Sequence, residues 1–282
     1  MKLHNSTADV YVPDGQPLPA ALGRVTHLGF GAHQDDLEFG TLHGIIAGYA
    51  NRSFAAVACT NGGGSARTGP FAHYTDEQMI VERRQEQRRA SEIGQYAVLF
   101  QLDYPSCDVK DPANVSLRDD FFQILMATRP QVVYTHNPTD KHETHLGVSV
   151  ASIQALRAMP VKDRPKAVHG VEGWRNLDWL PDHCKVVLDE SGHVELYEKL
   201  GAVFVSQIAG GKRYDIANLG HRRANATLLD SHAVDTATEV TIAMDLMPLI
   251  TDPTRDIVDF TLTFIDDFRE DVRRKLCKRL NA

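Results

Sequence analysis

Two short segments carry side chains suited to metal and acid–base chemistry: His33-Gln34-Asp35-Asp36-Leu37, and far downstream the stretch from His136 to His145. Imidazole nitrogen and carboxylate oxygen both ligate zinc, at roughly 2.0–2.2 Å. In an extended or tightly turning segment, neighbouring side chains point in different directions. Asp35 and Asp36 can therefore divide the work, one holding a metal and the other facing water beside it. The second segment places three of the thirteen histidines, His136, His142 and His145, within ten residues. His142 and His145 are three apart, so a helical start would set them on one side. Alone, that cluster fits a polar loop whose histidines meet carbonyls or solvent equally well. Its occurrence together with the first segment favours a site.

Such a site needs elements to hold it. Residues 24–32 read as a buried strand that ends immediately before His33, and residues 37–49 have helical apolar spacing. Strands are expected over 54–59, 97–102 and 131–135. Helices are expected over 75–93, with Asp76 and Glu77 in the first turn and Gly94 as a stop, over 117–128, and from His145 to 159. Strand and helix alternate over 24–160, which predicts βαβ units and a mainly parallel sheet covered on both faces. In open sheets of this kind, sites form outside the carboxyl ends of strands. His33 and His136 each follow such an end. Beyond 160 the pattern loosens: 185–188 and 240–244 read as strands, and 252–280 as a long amphipathic helix whose Ile257, Phe260, Phe264 and Phe268 face a core or a subunit. The expected organisation is an irregular lead-in (1–23) and a single domain (24–282), divided into core βα units (24–160) and a less regular C-terminal extension (161–282).

Composition narrows the function classes. A net charge of −7 argues against a nucleic-acid footprint. No apolar run approaches the ~20 residues that cross a bilayer. Residues 1–23 show no basic segment followed by an apolar one, so a cytoplasmic protein is expected. Cys59, Cys107, Cys184 and Cys277 are scattered, with no CxxC pair, and fit reduced thiols better than a disulfide framework or a thiolate zinc site.

The two segments also carry a resemblance. Ala32-His33-Gln34-Asp35-Asp36-Leu37-Glu38 is similar to the Ala-His-Pro-Asp-Asp-Glu that opens the PIG-L/LmbE family of zinc-dependent N-deacetylases. His142-Glu143-Thr144-His145 resembles that family's later His-Pro-Asp-His. Arg83-x-x-Glu86-x-x-x-Ala90-x-x-Ile93-Gly94 and Thr60-Asn61-Gly62 also fit, and the likeness covers roughly residues 24–150. It implies a three-layer, Rossmann-like α/β fold. It further implies His33, Asp36 and His145 as ligands of Zn²⁺ or another divalent transition metal, Asp35 as general base, and His142 as the group that stabilises the oxyanion or protonates the leaving amine. The implied substrate is a small N-acetylated sugar or glycoconjugate, and a homo-oligomer is a mild expectation. Gln34 replaces the usual Pro, Leu37 a frequent Glu, and Glu143-Thr144 the Pro-Asp pair, which leaves the metal and base positions intact.

Four residues are further candidates for touching substrate. Arg83 lies in the charged run 82–89, most of which reads as a solvated helix face. Asp140 stands where some thiol-pathway relatives carry a Tyr. Glu172 and Trp174 join polar and aromatic surface, as sugar sites do, although a packing Trp serves equally well. Gly62, Gly63 and Gly64 lack phosphate-loop spacing and read as a flexible rim. Two rival functions stand beside the deacetylase reading. A metal-dependent phosphoesterase would need more carboxylates than one ligand set supplies. A catalytically inactive carbohydrate-binding protein would have no use for Asp35.

Overall fold

The strands of the first half of the chain are apolar on both sides, so the sheet they form is covered on both faces. In Phe54–Thr60 all seven residues are buried. Ala55, Val57 and Cys59 enter one core, and Phe54, Ala56 and Ala58 the other. This is the period of two expected of a strand. The computed structural model describes residues 1–281. Its strands are β1 (Asp9–Tyr11), β2 (His27–Gly31), β3 (Phe54–Thr60), β4 (Val98–Tyr104), β5 (Val132–His136), β6 (Ala167–Val171), β7 (Lys185–Asp189) and β8 (Val240–Asp245). They form one sheet in the order β1-β4-β3-β2-β5-β6-β8-β7. From β4 through β6 the pairing is parallel, while β1, β8 and β7 are antiparallel to their neighbours.

The helices are α1 (Leu18–Gly23), α2 (Asp36–Gly40), α3 (Leu42–Tyr49), α4 (Asp76–Ile93), α5 (Ser106–Lys110), α6 (Ser116–Thr128), α7 (Glu143–Ala158), α8 (Val194–Gly201), α9 (Val205–Ile208), α10 (Tyr214–Leu228), α11 (Met247–Thr251) and α12 (Ile257–Leu280). One core packs Phe121, Ile124 and Leu125 of α6 and Val148 of α7 against Phe30 and Phe100. The other packs Leu37, Ile45, Tyr197 and Leu200 against Phe54, Leu99 and Tyr134. Leu37 fills the space that Gly29 and Gly31 leave: a Cβ on Gly29 would lie 2.9 Å from its Cδ2, and one on Gly31 3.1 Å from its Cγ. α4 begins with a capping box between Thr75 and Gln78.

Several elements differ from the sequence expectation. The lead-in is not irregular: Asp9–Tyr11 pairs with β4 as an edge strand, and Leu18–Gly23 is helical with Pro19 in its first turn. The strand expected over 24–32 is shorter, because α1 runs to Gly23 and Arg24 caps it. β6 was unexpected, since His169 and Gly170 interrupt its apolar run, yet it extends the parallel sheet beside β5. The C-terminal helix starts at Ile257, where the Asp256 side chain accepts from the Val258 and Asp259 amides. Among the described residues no helix is long and apolar enough to cross a membrane.

Candidate active site

β2 lies between β3 and β5. From β2 the chain winds outward through β3 and β4, then returns to the other side of β2 as β5. The carboxyl ends of β2 and β5 therefore flank a reversal of strand order, where such sheets open a crevice. The two polar segments of the sequence follow those two ends. His33-Gln34-Asp35 is the turn from β2 into α2, and His136 ends β5, with His142 at the N-cap of α7 and His145 in its first turn.

Asp36 is the centre of the site. Its Oδ2 accepts the His33 backbone N–H at 2.7 Å and lies 3.3 Å from His33 Nδ1 and 3.4 Å from Nε2 of both His136 and His145. The His142 ring stands 5.0 Å from His33 and 4.7 Å from His145, centre to centre. Burial opposes ionisation of Asp36, but the surrounding histidines hold its carboxyl well below the usual range. Conversely, Asp36 and Asp140 raise the pKa of His145 against the effect of its burial.

The side chains suit a divalent cation. One ligand atom each from His33, Asp36 and His145 lies within 4.8 Å of the others. His145 Nδ1 is engaged by Asp140 Oδ2 at 3.1 Å, while its Nε2 is buried with no hydrogen-bond partner. A carboxylate behind a histidine is the usual second-layer arrangement that turns the other ring nitrogen toward a metal. His136, Asp140 and His145 satisfy the same distance criterion, but that set is already occupied. His136 Nε2 accepts the Ala32 N–H at 3.0 Å, and Asp140 is bonded to His145, to the His142 amide at 2.9 Å and to the Trp174 amide at 3.1 Å. Three candidate ligands with room beside them are the arrangement that a catalytic, rather than a structural, metal site needs.

Asp35 points elsewhere because its backbone is turned to φ +92°, a left-handed conformation costly for a residue with a Cβ. The Asp35 amide donates to Gln87 Oε1 at 3.1 Å, and Arg83 Nη1 lies 3.4 Å from its carboxylate. Burial, aided by the charge on Asp36, pushes the Asp35 pKa up to about 6, against the pull of Arg83. The adjacent Gln34 is buried and ties the turn to β3, donating from Nε2 to Thr60 O at 2.9 Å. Gly62, at φ +77°, must be glycine here, since a Cβ would come within 2.7 Å of Gln34 Oε1. His142 is held below its ordinary pKa by burial and by His145 and His33, so its imidazole is neutral near pH 7, with a buried Nδ1 that has no partner.

Three of the four residues expected to touch substrate also hold other parts of the protein. Arg83 is 2% exposed and spends its guanidinium on Gln34 O, Asp35 and Glu86. Asp140 orients His145, and the missing side chain of Gly173 makes room for it, as a Cβ there would sit 2.4 Å from Asp140 Oδ2. Glu172 is saturated by the Leu177 and Ile242 amides, Asn225 and His221. Arg83, Glu172 and Trp174 all line a cleft of about 610 Å³ that holds His33, Asp35, Asp36, His142 and His145, and Trp174 is the most exposed of them, at 39%. Its ring lies 6.2 Å from His142, with Tyr214 edge-on at 6.0 Å and Lys212 Nζ at 5.2 Å. Residues 62–66 contribute to the opposite rim. Sequence reasoning placed His136 at the site but gave it no role; its ring stacks on His145 at 3.7 Å. Sequence reasoning missed Tyr214 and Lys212, which come from a distant helix start with no motif around it. For His136 the signal was the density of histidines in that loop.

Residues 28–156 match the profile of a family described as PIG-L, GlcNAc-PI de-N-acetylase. No curated protein sequence matches the chain. Solved structures share its fold. A conserved protein of Thermus thermophilus superposes with a TM-score of 0.62 and 19% identity, over 82% of this chain and 99% of its own. N,N'-diacetylchitobiose deacetylase of Pyrococcus horikoshii gives 0.62 and 16%, over 83% and 88%. The 4-carboxy-2-hydroxymuconate hydratase of Pseudomonas putida gives 0.57 and 15%, over 79% and 96%.

Proposed function

We propose, on the match of residues 28–156 to the PIG-L family profile, that the protein is a metal-dependent hydrolase that removes an N-acetyl or similar N-acyl group from an amino sugar or its conjugate. The observation that carries this reading is the juxtaposition of a three-ligand set, His33, Asp36 and His145, with a second, separately oriented carboxylate, Asp35. A binding protein has no need of that fourth group. The chitobiose deacetylase of the same fold supports the choice of an acetylated amino sugar.

His33, Asp36 and His145 would hold zinc or another divalent transition ion, which when bound would polarise the amide carbonyl and lower the pKa of water there. Asp35 takes the proton of the attacking water. Its raised pKa makes it a better acceptor than an exposed carboxylate, and Arg83 keeps it ionised near neutrality. His142, neutral and with an unpartnered ring nitrogen, donates to the amide oxygen as negative charge grows on it. Asp140 fixes the His145 ring. Trp174 offers a flat face for a pyranose ring. The proton taken by Asp35 then passes to the amide nitrogen as the C–N bond breaks, so that the products are a carboxylate and a free amine and Asp35 is again ionised.

The hydratase of the same fold means that architecture alone does not select hydrolysis. A panel of N-acetylated amino sugars and their phosphorylated and conjugated forms tests the choice. Equimolar acetate and primary amine are expected from at least one member. Release of inorganic phosphate without amine would favour the phosphoesterase reading. Sugar binding by a metal-loaded protein with no product would favour a carbohydrate-binding protein.

A further inference from the structure

The outer side of α12 is apolar along its length except at Arg269, which interrupts it between Ile265 and Val272. Val258, Leu262, Ile265, Val272, Leu276 and Leu280 are each 40–74% exposed. At 3.6 residues per turn they fall in a band about 80° wide. Ile257, Phe260 and Phe264, which dock the helix on the body, occupy the adjoining part of its circumference. Phe268 meets Trp179, with ring centres 6.2 Å apart, and among the described residues none after it is buried. The last twelve residues, about 18 Å of helix, thus carry their apolar stripe without a partner in this chain. Monomeric proteins rarely leave such a stripe open.

Charge is divided along the same helix. All five of its acidic residues precede Val272, and five of its six basic residues follow it. The pairs within the helix nearest the stripe, Arg269–Asp266 at 2.9 Å and Arg273–Glu270 at 3.8 Å, have both side chains more than half exposed. Such pairs contribute little and are free to exchange partners.

We propose that α12 is a homodimer contact, covered by α12 of a second copy running antiparallel about a two-fold axis near residues 270 and 271. In that register Leu262 lies beside Leu280 of the second copy, Ile265 beside Leu276 and Phe268 beside Val272. Asp266 then faces Arg273 of the second copy on the same flank. A parallel pair would set acid against acid and base against base, so the charge division selects the antiparallel form. A two-fold contact is also self-complementary, as a closed dimer requires. None of this depends on the deacetylase reading.

Light scattering coupled to size exclusion, with sedimentation velocity over a range of loading, measures the mass. The wild-type chain is expected at twice its own mass, and Leu276→Glu at the single-chain mass with an unchanged far-ultraviolet spectrum. Asp266→Arg and Arg273→Glu should each weaken association by about tenfold or more by facing like charges. The double swap Asp266→Arg with Arg273→Glu should restore it, which no unspecific stickiness would do and which needs no reliance on Leu276→Glu folding. A wild-type protein of single-chain mass at every loading would overturn the proposal. So would a dimer left intact by Leu276→Glu, or a double swap no tighter than either single change.

Discussion

Asp140 illustrates how much of this site is held by residues that need not touch substrate. Its carboxylate meets His145 Nδ1, the His142 amide and the Trp174 amide, and so sets the proposed metal ligand, the proposed oxyanion donor and the aromatic wall together. Asp140→Ala should lower zinc affinity 10–100-fold, read by competition with a chelator, with the fold retained. An affinity equal to wild type would remove Asp140 from that role. Glu38 poses a different test. It is fully buried, and its carboxylate accepts from the Tyr96 hydroxyl at 2.6 Å and Gln87 Nε2 at 2.8 Å with no ion pair to its oxygens among the described residues. Burial pushes its pKa from 4.5 up to about 7. A folded pKa above the unfolded one gives a contribution to stability that is complete below about 4.5 and lost as pH rises through about 7. Urea midpoints of the wild-type protein should therefore fall over that window relative to Glu38→Gln, by on the order of 3 kcal/mol at most. Parallel curves for the two proteins would show that Glu38 does not titrate there.

At the scale of elements, the reversal between β2 and β5 makes the crevice, and α10 closes it from the far half of the chain. Arg222 of α10 is the bolt. It is buried, pairs with buried Glu190 at 2.7 Å, donates to the Phe39 carbonyl at 2.7 Å and covers the Tyr197 ring. Arg222→Met strands the Glu190 charge and should cost about 3–5 kcal/mol. Adding Glu190→Met should recover part of that loss in chemical denaturation. No recovery would mean that the cost comes from the other Arg222 contacts. The same scale explains what the sequence disclosed. β3 and β4 were legible because two-sided burial writes an unbroken apolar run. β1, three residues on a sheet edge, and β6, broken by His169 and Gly170, leave no such trace. The metal-ligand candidates were legible because two short segments contain all of them. Arg83 and Glu172 could be placed near the site from sequence, but not the fact that protein partners engage the two terminal nitrogens of Arg83 and both carboxylate oxygens of Glu172. That depends on the packing of α4 beneath the β2 turn and of β8 beside Glu172.

For the whole molecule, a cation held by His33, Asp36 and His145 would join the turn after β2 to the start of α7. A ligand that binds only the folded chain raises its stability in proportion to the logarithm of its occupancy. Chelation should therefore lower the melting temperature of the wild-type protein and leave that of Asp36→Ala nearly unchanged. An equal shift in both would locate the stabilising ion elsewhere. The claim beneath all of these is amide hydrolysis with Asp35 as the base beside a metal. Turnover and metal content of Asp35→Ala, measured side by side on the best substrate, test it most directly. Expected are wild-type metal content, a KM close to wild type and a kcat lower by about 10²–10⁴. Wild-type turnover by this variant would contradict the mechanism.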